Sequence, residues 1–568
     1  MPTPERDRHY RRGPLRITVP SRNDPFLRSL VEGIGGPLGR RTEPGVIKPG
    51  FWRVERVLLV IVFIFGILAV LSKDVCRQTG WGSQSTYTGM CYSDWTALYG
   101  ARGFAENPWA PFTANAAEPF EYPALMSAVA SLTAALVPRD LGSGAQLLFY
   151  FDINAFLVVL LWAVVVIAVA KSSGRRVWDA ALVAASPAIL MAATVNWDMW
   201  AVAFLALGLL AFGRGHPWLA GVLIGLGAAT KLYPVLALGA FLVLAIRTGV
   251  WKPFFAVTGG AVIAWVAVNL PFALAAPARW AAFYTFSQSR GAGNSSVWQA
   301  WDLSVGKVIP SLHTTPGMIT VLGFGLFAAA CVGVLALGVW APRPPRVASL
   351  VFLIVAAFVL VGKVYSPQFI LWLIPLAALA YPRWRALLTW QLFEVAHFAA
   401  IWFFLYMNSG DENAKGRFPE WIFVALVLAH MVALTWIMAL VVRSIIYPHT
   451  DPVRRVGMDD PLGGLFAGRD AYQGGMGSAR TARDAGRTAV SGPVPDAALV
   501  TSGAPAAADS AAGDSTPDRP APEPSHPDHP GSEVSAPERA AGHAPRPSGR
   551  RALRPDAEAS ESKETPQD

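Results

Sequence analysis

Charge is scarce in this chain. Asp, Glu, Lys and Arg make up 15% of 568 residues, and 53% are hydrophobic, with mean hydropathy +0.39. A soluble protein of this size needs a more polar surface, so the composition excludes one. Cysteine is nearly absent too, with three residues in all. No nucleic-acid motif accompanies the net charge of +9. No cleavable signal peptide is expected, because the first apolar run starts as deep as Val57. What the chain has instead is a succession of apolar runs of a length that matches the hydrocarbon layer of a bilayer. It also has abundant aromatics, including 21 Trp and 30 Phe, which suit interfacial belts. The expected class is an all-α polytopic membrane protein.

The organisation follows from where the few charges fall. Residues 1–50 are rich in Arg, Pro and Gly without apolar periodicity, and read as a disordered cytoplasmic arm. Arg53 and Arg56 precede the first span, Val57–Leu71, which puts Lys73–Pro123 outside. The segment Tyr122–Pro138 either spans or lies along the interface. Lying flat is preferred, because Lys171–Arg176 and every later basic loop then fall on the cytoplasmic side. The remaining spans are expected near Gln146–Ala170, Val177–Thr194, Met199–Phe212, Trp218–Thr230, Leu232–Ile246, Phe254–Leu274, Met318–Trp340, Val347–Gly362, Phe369–Ala380, Ala386–Met407 and Trp421–Val442. That makes about twelve in a membrane domain of residues 51–447. Residues 448–568, poor in aromatics and rich in Ala, Pro, Gly and Ser, read as a disordered cytoplasmic tail.

Of the cysteines, Cys331 sits within an apolar run. Cys76 and Cys91 share the first outer loop, where an oxidising compartment favours a disulfide, and two unpaired thiols are the alternative.

The polar residues worth attention gather on the outer side. They include Asp94, Glu121 and Tyr122 in the first loop, and Asn196-Trp-Asp198 and Lys231-Leu-Tyr-Pro234 at the next two turns. Arg290 and His313 lie in the long loop 275–317, Lys363-Val-Tyr-Ser-Pro-Gln368 forms another turn, and Asp411 and Glu412 lie in the last. Carboxylates beside aromatics suit sugars, and Lys, Arg and His suit a phosphate at the membrane boundary. Together they point to a lipid-linked phosphosugar and to glycosyl transfer, in which a carboxylate takes the acceptor's hydroxyl proton. One base suffices for inversion; retention needs a second carboxylate.

Each residue also has a structural reading. Asp94 could cap a helix, and Asp198 reads better as a cap than as a site residue. Lys231 and Lys363 could snorkel, and His313 could be a solvated loop residue. Glu394 and His397, three apart in a span, share a face as a structural pair.

Four stretches together resemble actinobacterial members of glycosyltransferase family 87. They are Cys91-Tyr-Ser-Asp-Trp-Thr-Ala-Leu-Tyr-Gly-Ala-Arg-Gly-Phe104, Phe120-Glu-Tyr-Pro123, Ala228-Ala-Thr-Lys-Leu-Tyr-Pro234 and Lys363-Val-Tyr-Ser-Pro-Gln-Phe-Ile-Leu-Trp372. The resemblance covers about Val57 to Val442. It implies a GT-C-type fold with interfacial helices in the first outer loop, an acidic catalytic residue there, and polyprenyl-phosphate-sugar donors. The matching position is Asp94. Glu121, Tyr122 and Asn196 are then expected in the sugar site. Lys231, Arg290, His313 and Lys363 are the expected phosphate contacts, and Tyr233, Tyr365 and Gln368 in the same motifs join the substrate-binding set. A divalent metal is optional, since Lys or Arg can neutralise a lipid phosphate. The expected function is transfer of a hexose, mannose first, from polyprenyl phosphate to a cell-envelope glycolipid or polysaccharide on the outer face of the plasma membrane. Both termini are expected to be cytoplasmic. The partners are the bilayer, the lipid-linked donor and the acceptor, with no nucleic acid. A lipid-sugar flippase and a non-catalytic envelope-assembly scaffold are the alternatives. A transporter would place its key charges near mid-span.

Overall fold

The computed structural model describes residues 10–12, 15–17, 53–81, 83–113, 118–409 and 418–467. Asp411, Glu412, most of the amino-terminal arm and the tail from 468 onward lie outside the described residues. Within the arm, two short strands, Tyr10–Arg12 and Leu15–Ile17, pair antiparallel.

Among the described residues, six helices are long and apolar enough to cross a membrane. They are Val54–Leu71, Ser143–Ser172, Lys252–Ala275, Pro316–Trp340, Trp384–Met407 and Glu420–Ile446. Six shorter apolar helices, Ala124–Ala135, Met199–Gly213, Pro217–Thr230, Tyr233–Thr248, Val347–Val361 and Pro367–Ala380, fill the space between them. A helix of 15 residues such as Val347–Val361 reaches only about 22 Å, short of the hydrocarbon thickness. Of the about twelve spans expected, several of them short, six are helices of crossing length among the described residues and the others are shorter or broken. The segment expected to span at Val177–Thr194 is three pieces: a 3-10 turn Val177–Ala180, then Ala181–Ala184, then Pro187–Ala192. The break has a local cause. Pro187 lacks an N–H and disfavours helical backbone at Ser186. Ser186 is extended, accepts from the Ile189 N–H at 3.0 Å and donates to Gln391 Oε1 at 2.8 Å. Irregular backbone at this depth is tolerated because protein surrounds it.

Close helix contact depends on small residues. Gly221 and Gly225 on Pro217–Thr230 face Val257 and Ala261 on Lys252–Ala275. A Cβ at either glycine would overlap the opposing backbone, the small-residue contact that membrane helices use. Val54–Leu71 and Pro316–Trp340 instead expose apolar side chains such as Ile67, Val321 and Phe324, as lipid-facing helices do.

The first loop is ordered by three short helices, Asp74–Thr79, Ser83–Thr88 and Asp94–Ala101. Cys76 and Cys91 are bonded, and the Trp81 indole donates to the Cys91 carbonyl at 3.2 Å. Lys73, just after the first helix, is fully buried. Its ammonium donates to the carbonyls of Met90 (2.9 Å) and Met191 (3.4 Å) and lies over the Phe398 ring. Ala124–Ala135, in the segment expected to lie flat, spans only about 18 Å.

At the opposite end of the bundle, residues 447–467 form 3-10 turns that fold back over the helix ends. The Arg346 guanidinium, 2% exposed, donates to both Asp451 oxygens and to the Leu379 and Ala380 carbonyls. Asp460 accepts from the Val347 and Leu462 N–H groups, and Phe466 packs on Phe212. The expected disordered tail is thus corrected over 448–467. The anchors there are single charged and aromatic side chains, which composition does not reveal.

Candidate functional site

Asp94 opens the helix Asp94–Ala101. Its N–H donates to the Val195 carbonyl at 2.7 Å, which fixes the first loop against the turn before Met199–Gly213. Ser93, at the N-cap position, makes no side-chain capping bond. The Asp94 carboxylate instead accepts from the Tyr122 hydroxyl at 2.8 Å, with the Tyr92 phenol as a second neighbour. Burial holds the Asp94 carboxyl above the usual carboxylate range, against the lowering effects of the two tyrosines and of the positive charge on Lys231. The same burial, with the Asp94 charge next, pushes the Tyr92 and Tyr122 phenols up, so both remain donors. Asp94 keeps part of its surface open. A partly open carboxylate with a raised proton affinity is a serviceable base.

Lys231 ends Pro217–Thr230 and Asp198 precedes Met199–Gly213, so one turn presents a cation and the other an anion. They meet. Lys231 Nζ lies 2.7 Å from Asp198 Oδ1, and the Trp372 indole donates to Asp198 Oδ2 at 2.8 Å. Three rings surround the ammonium, with Tyr122 at 5.1 Å, Phe369 at 5.7 Å and Trp372 at 5.9 Å, a cage that favours a cation. Tyr233 lies flat on Trp372 at 4.2 Å, with its hydroxyl buried and without a hydrogen-bond partner among the described residues. Tyr122 stacks on Phe120 and meets Trp197 edge-on. The Trp197 indole is itself fixed by Asn154 Oδ1 at 2.8 Å.

The structure therefore gathers Asp94, Tyr122, Lys231 and Tyr233 around Asp198 and Trp372. It places the other expected residues elsewhere or in supporting roles. Glu121 is held by Arg102 through two bonds, 2.7 and 2.8 Å. Asn196 is fully buried, and its side-chain oxygen accepts from the Asp198 N–H at 3.0 Å. Lys363 donates to the Gln288 and Arg290 carbonyls, beside an exposed Arg290. His313 is exposed, 3.4 Å from Asp302. Among the described residues no hydrogen bond or ion pair joins Arg290, His313 or Lys363 to Asp94. Tyr365 is buried and donates to Glu394 at 3.1 Å. Gln368, half-buried, sits in the turn Pro367–Phe369.

Asp198, Trp372 and Tyr92 are the residues that sequence reasoning missed. Asp198 reads as a cap from its position before Met199, yet its side chain makes no capping bond. The available signal was Lys231, a cation between apolar helices that requires a partner.

This arrangement offers a carboxylate base, a caged cation and aromatic faces at one end of an apolar bundle. No curated protein and no solved structure matches the chain. The model of glycosyltransferase family 87 matches residues 120–362, which supports a membrane glycosyltransferase.

Proposed function

We propose that the protein transfers a hexose, mannose in the first instance, from a polyprenyl-phosphate donor to a cell-envelope glycolipid or polysaccharide, on the extracytoplasmic face of the plasma membrane and with inversion. The observation that carries this reading is the half-buried Asp94, bonded to Tyr122, beside the caged Lys231–Asp198 pair. Asp94 takes the proton from the acceptor hydroxyl as that oxygen attacks the anomeric carbon and the lipid phosphate leaves. Tyr122 orients the carboxylate through its hydroxyl. Lys231 supplies positive charge beside it, with Asp198 and Trp372 holding the ammonium in place. The rings of Tyr122 and Phe369 give apolar faces against which a sugar can stack. Arg290 and Lys363, side by side on the loops, are proposed to meet the donor phosphate, and His313 is kept as a further phosphate contact. Both termini then lie in the cytoplasm.

The test is transfer from radiolabelled polyprenyl-phosphate mannose in membranes, comparing the unaltered chain with Asp94→Asn at matched expression. The substitution preserves size and hydrogen bonding but removes the base, so a loss of roughly a hundredfold or more is expected. Undiminished transfer by the variant would remove Asp94 from the reaction. No transfer by the unaltered chain would reject this donor.

A further inference from the structure

Two of the long helices hold buried polar groups that sugar transfer does not use. Glu394 and His397 lie three residues apart on Trp384–Met407 and so share one face. His430 meets them from Glu420–Ile446. The three are 4%, 0% and 0% exposed, and their ligand-capable atoms lie within 4.8 Å of one another. All lie beyond the segment matched by the family model.

The group is satisfied on one side only. Glu394 Oε1 accepts from the Trp390 indole at 2.9 Å and from the Tyr365 hydroxyl at 3.1 Å. These donors fix the carboxylate from behind, and Oε2 lies 3.3 Å from His430 Nδ1. On the other side, both ring nitrogens of His397 and Nε2 of His430 have no hydrogen-bond partner among the described residues. The two imidazoles lie face to face, 3.9 Å apart and 4° from parallel. A neutral imidazole carries one N–H and one lone pair, and sealing both from water without partners is unfavourable. If the cluster existed only to pair Glu394 with His430, an apolar side chain at 397 would serve better.

An ion accounts for what hydrogen bonding leaves over. The donors are two imidazoles and one carboxylate oxygen, with an indole and a phenol orienting that carboxylate, the outer support that metal ligands receive. Imidazole nitrogens favour borderline transition ions, whereas Mg²⁺ and Ca²⁺ take oxygen shells. We infer that Glu394, His397 and His430 form a binding site for a divalent transition-metal ion of the zinc type, joining the last two long helices to Tyr365. Parallel rings cannot both aim in-plane lone pairs at one point, so loading turns one imidazole out of the stack. Tyr365 belongs to the loop that runs into Phe369 and Trp372, so an ion here would brace the elements around Lys231 and Asp198. The inference does not rest on sugar transfer.

The test uses the purified full chain in lipid nanodiscs, stripped with chelator and titrated with Co²⁺. The expected result is a saturable visible absorption band at about one ion per chain, abolished by Zn²⁺ and untouched by Mg²⁺. His397→Phe keeps a ring in the stack but removes a ligand, and Glu394→Gln keeps the hydrogen bonds but removes the charge. Each should lower cobalt affinity at least tenfold. Absence of a saturable band in the unaltered chain would overturn the site, and so would equal binding by a folded His397→Phe variant. Should either variant fail to fold, the cobalt and zinc competition on the unaltered chain decides alone.

Discussion

At one end of the helix Ile370–Ala380, the Arg346 guanidinium is closed in by Asp451 and two backbone carbonyls, and neither charged side chain is more than 4% exposed. At the other end, Trp372 holds Asp198 against Lys231, whose side chain keeps 19% of its surface, and Asp94 beside them is partly open. Both ends place charge next to apolar helices. At the Arg346 end the guanidinium and the Asp451 carboxylate are matched within the protein, which pins the returning chain to the bundle. At the Asp94 end the carboxylate is held by the Tyr122 hydroxyl and the residue is only half-buried. A matched, closed charge is architecture; a positioned charge with an open side can meet a substrate.

Substitutions at the two ends should separate these roles. The largest effect is expected from Asp94→Asn, which should cut transfer by roughly a hundredfold or more while leaving the thermal midpoint close to that of the unaltered chain. Loss of folding together with loss of transfer would make Asp94 architectural as well. Next comes Arg346→Ala, which strands Asp451 in a buried site and should cost about 3–5 kcal/mol of stability. Transfer per folded molecule should persist, and thermal unfolding in nanodiscs with activity normalised to folded protein reads both.

Two smaller effects concern pH. Because burial raises the proton affinity of Asp94, the acid limb of transfer should lie above the ordinary aspartate range of about 4. Tyr122→Phe removes a hydrogen bond that favours the charged form and should move that limb to higher pH. A limb that stays put would mean another group titrates. Burial lowers Lys73 to about 7. Its folded form therefore prefers to be neutral, and stability should rise with pH from about 7 toward the ordinary lysine value near 10.4. Lys73→Met should flatten that rise, measured as the thermal midpoint against pH. The smallest effect, no change, is expected from truncation after Ala467, which spares the turns that hold Asp451 and Asp460. A loss of transfer there would give the tail a role in catalysis.

Much of this could be read along the chain and some could not. Asp94, Tyr122 and Lys231 were legible because charged or aromatic residues in a loop between apolar runs stand out locally. Asp198 was misread as a cap because its partner lies 33 residues on and its indole donor 174 residues away. Tyr365 stood out in the same motif as Gln368, yet only packing shows that it faces Glu394. His430 carries no signal at all in sequence, since the residues that meet it belong to another helix.

The sequence by itself determined that this is a helical membrane protein with its polar residues concentrated in the loops between apolar runs, because hydropathy and charge placement act locally and need no fold. Only the tertiary structure decided which of those residues meet. It also decided that the segment at 177–194 breaks at Ser186 and that residues 448–467 are anchored rather than tail. Pairing, burial and breakage depend on neighbours distant in the chain, and no local pattern specifies them.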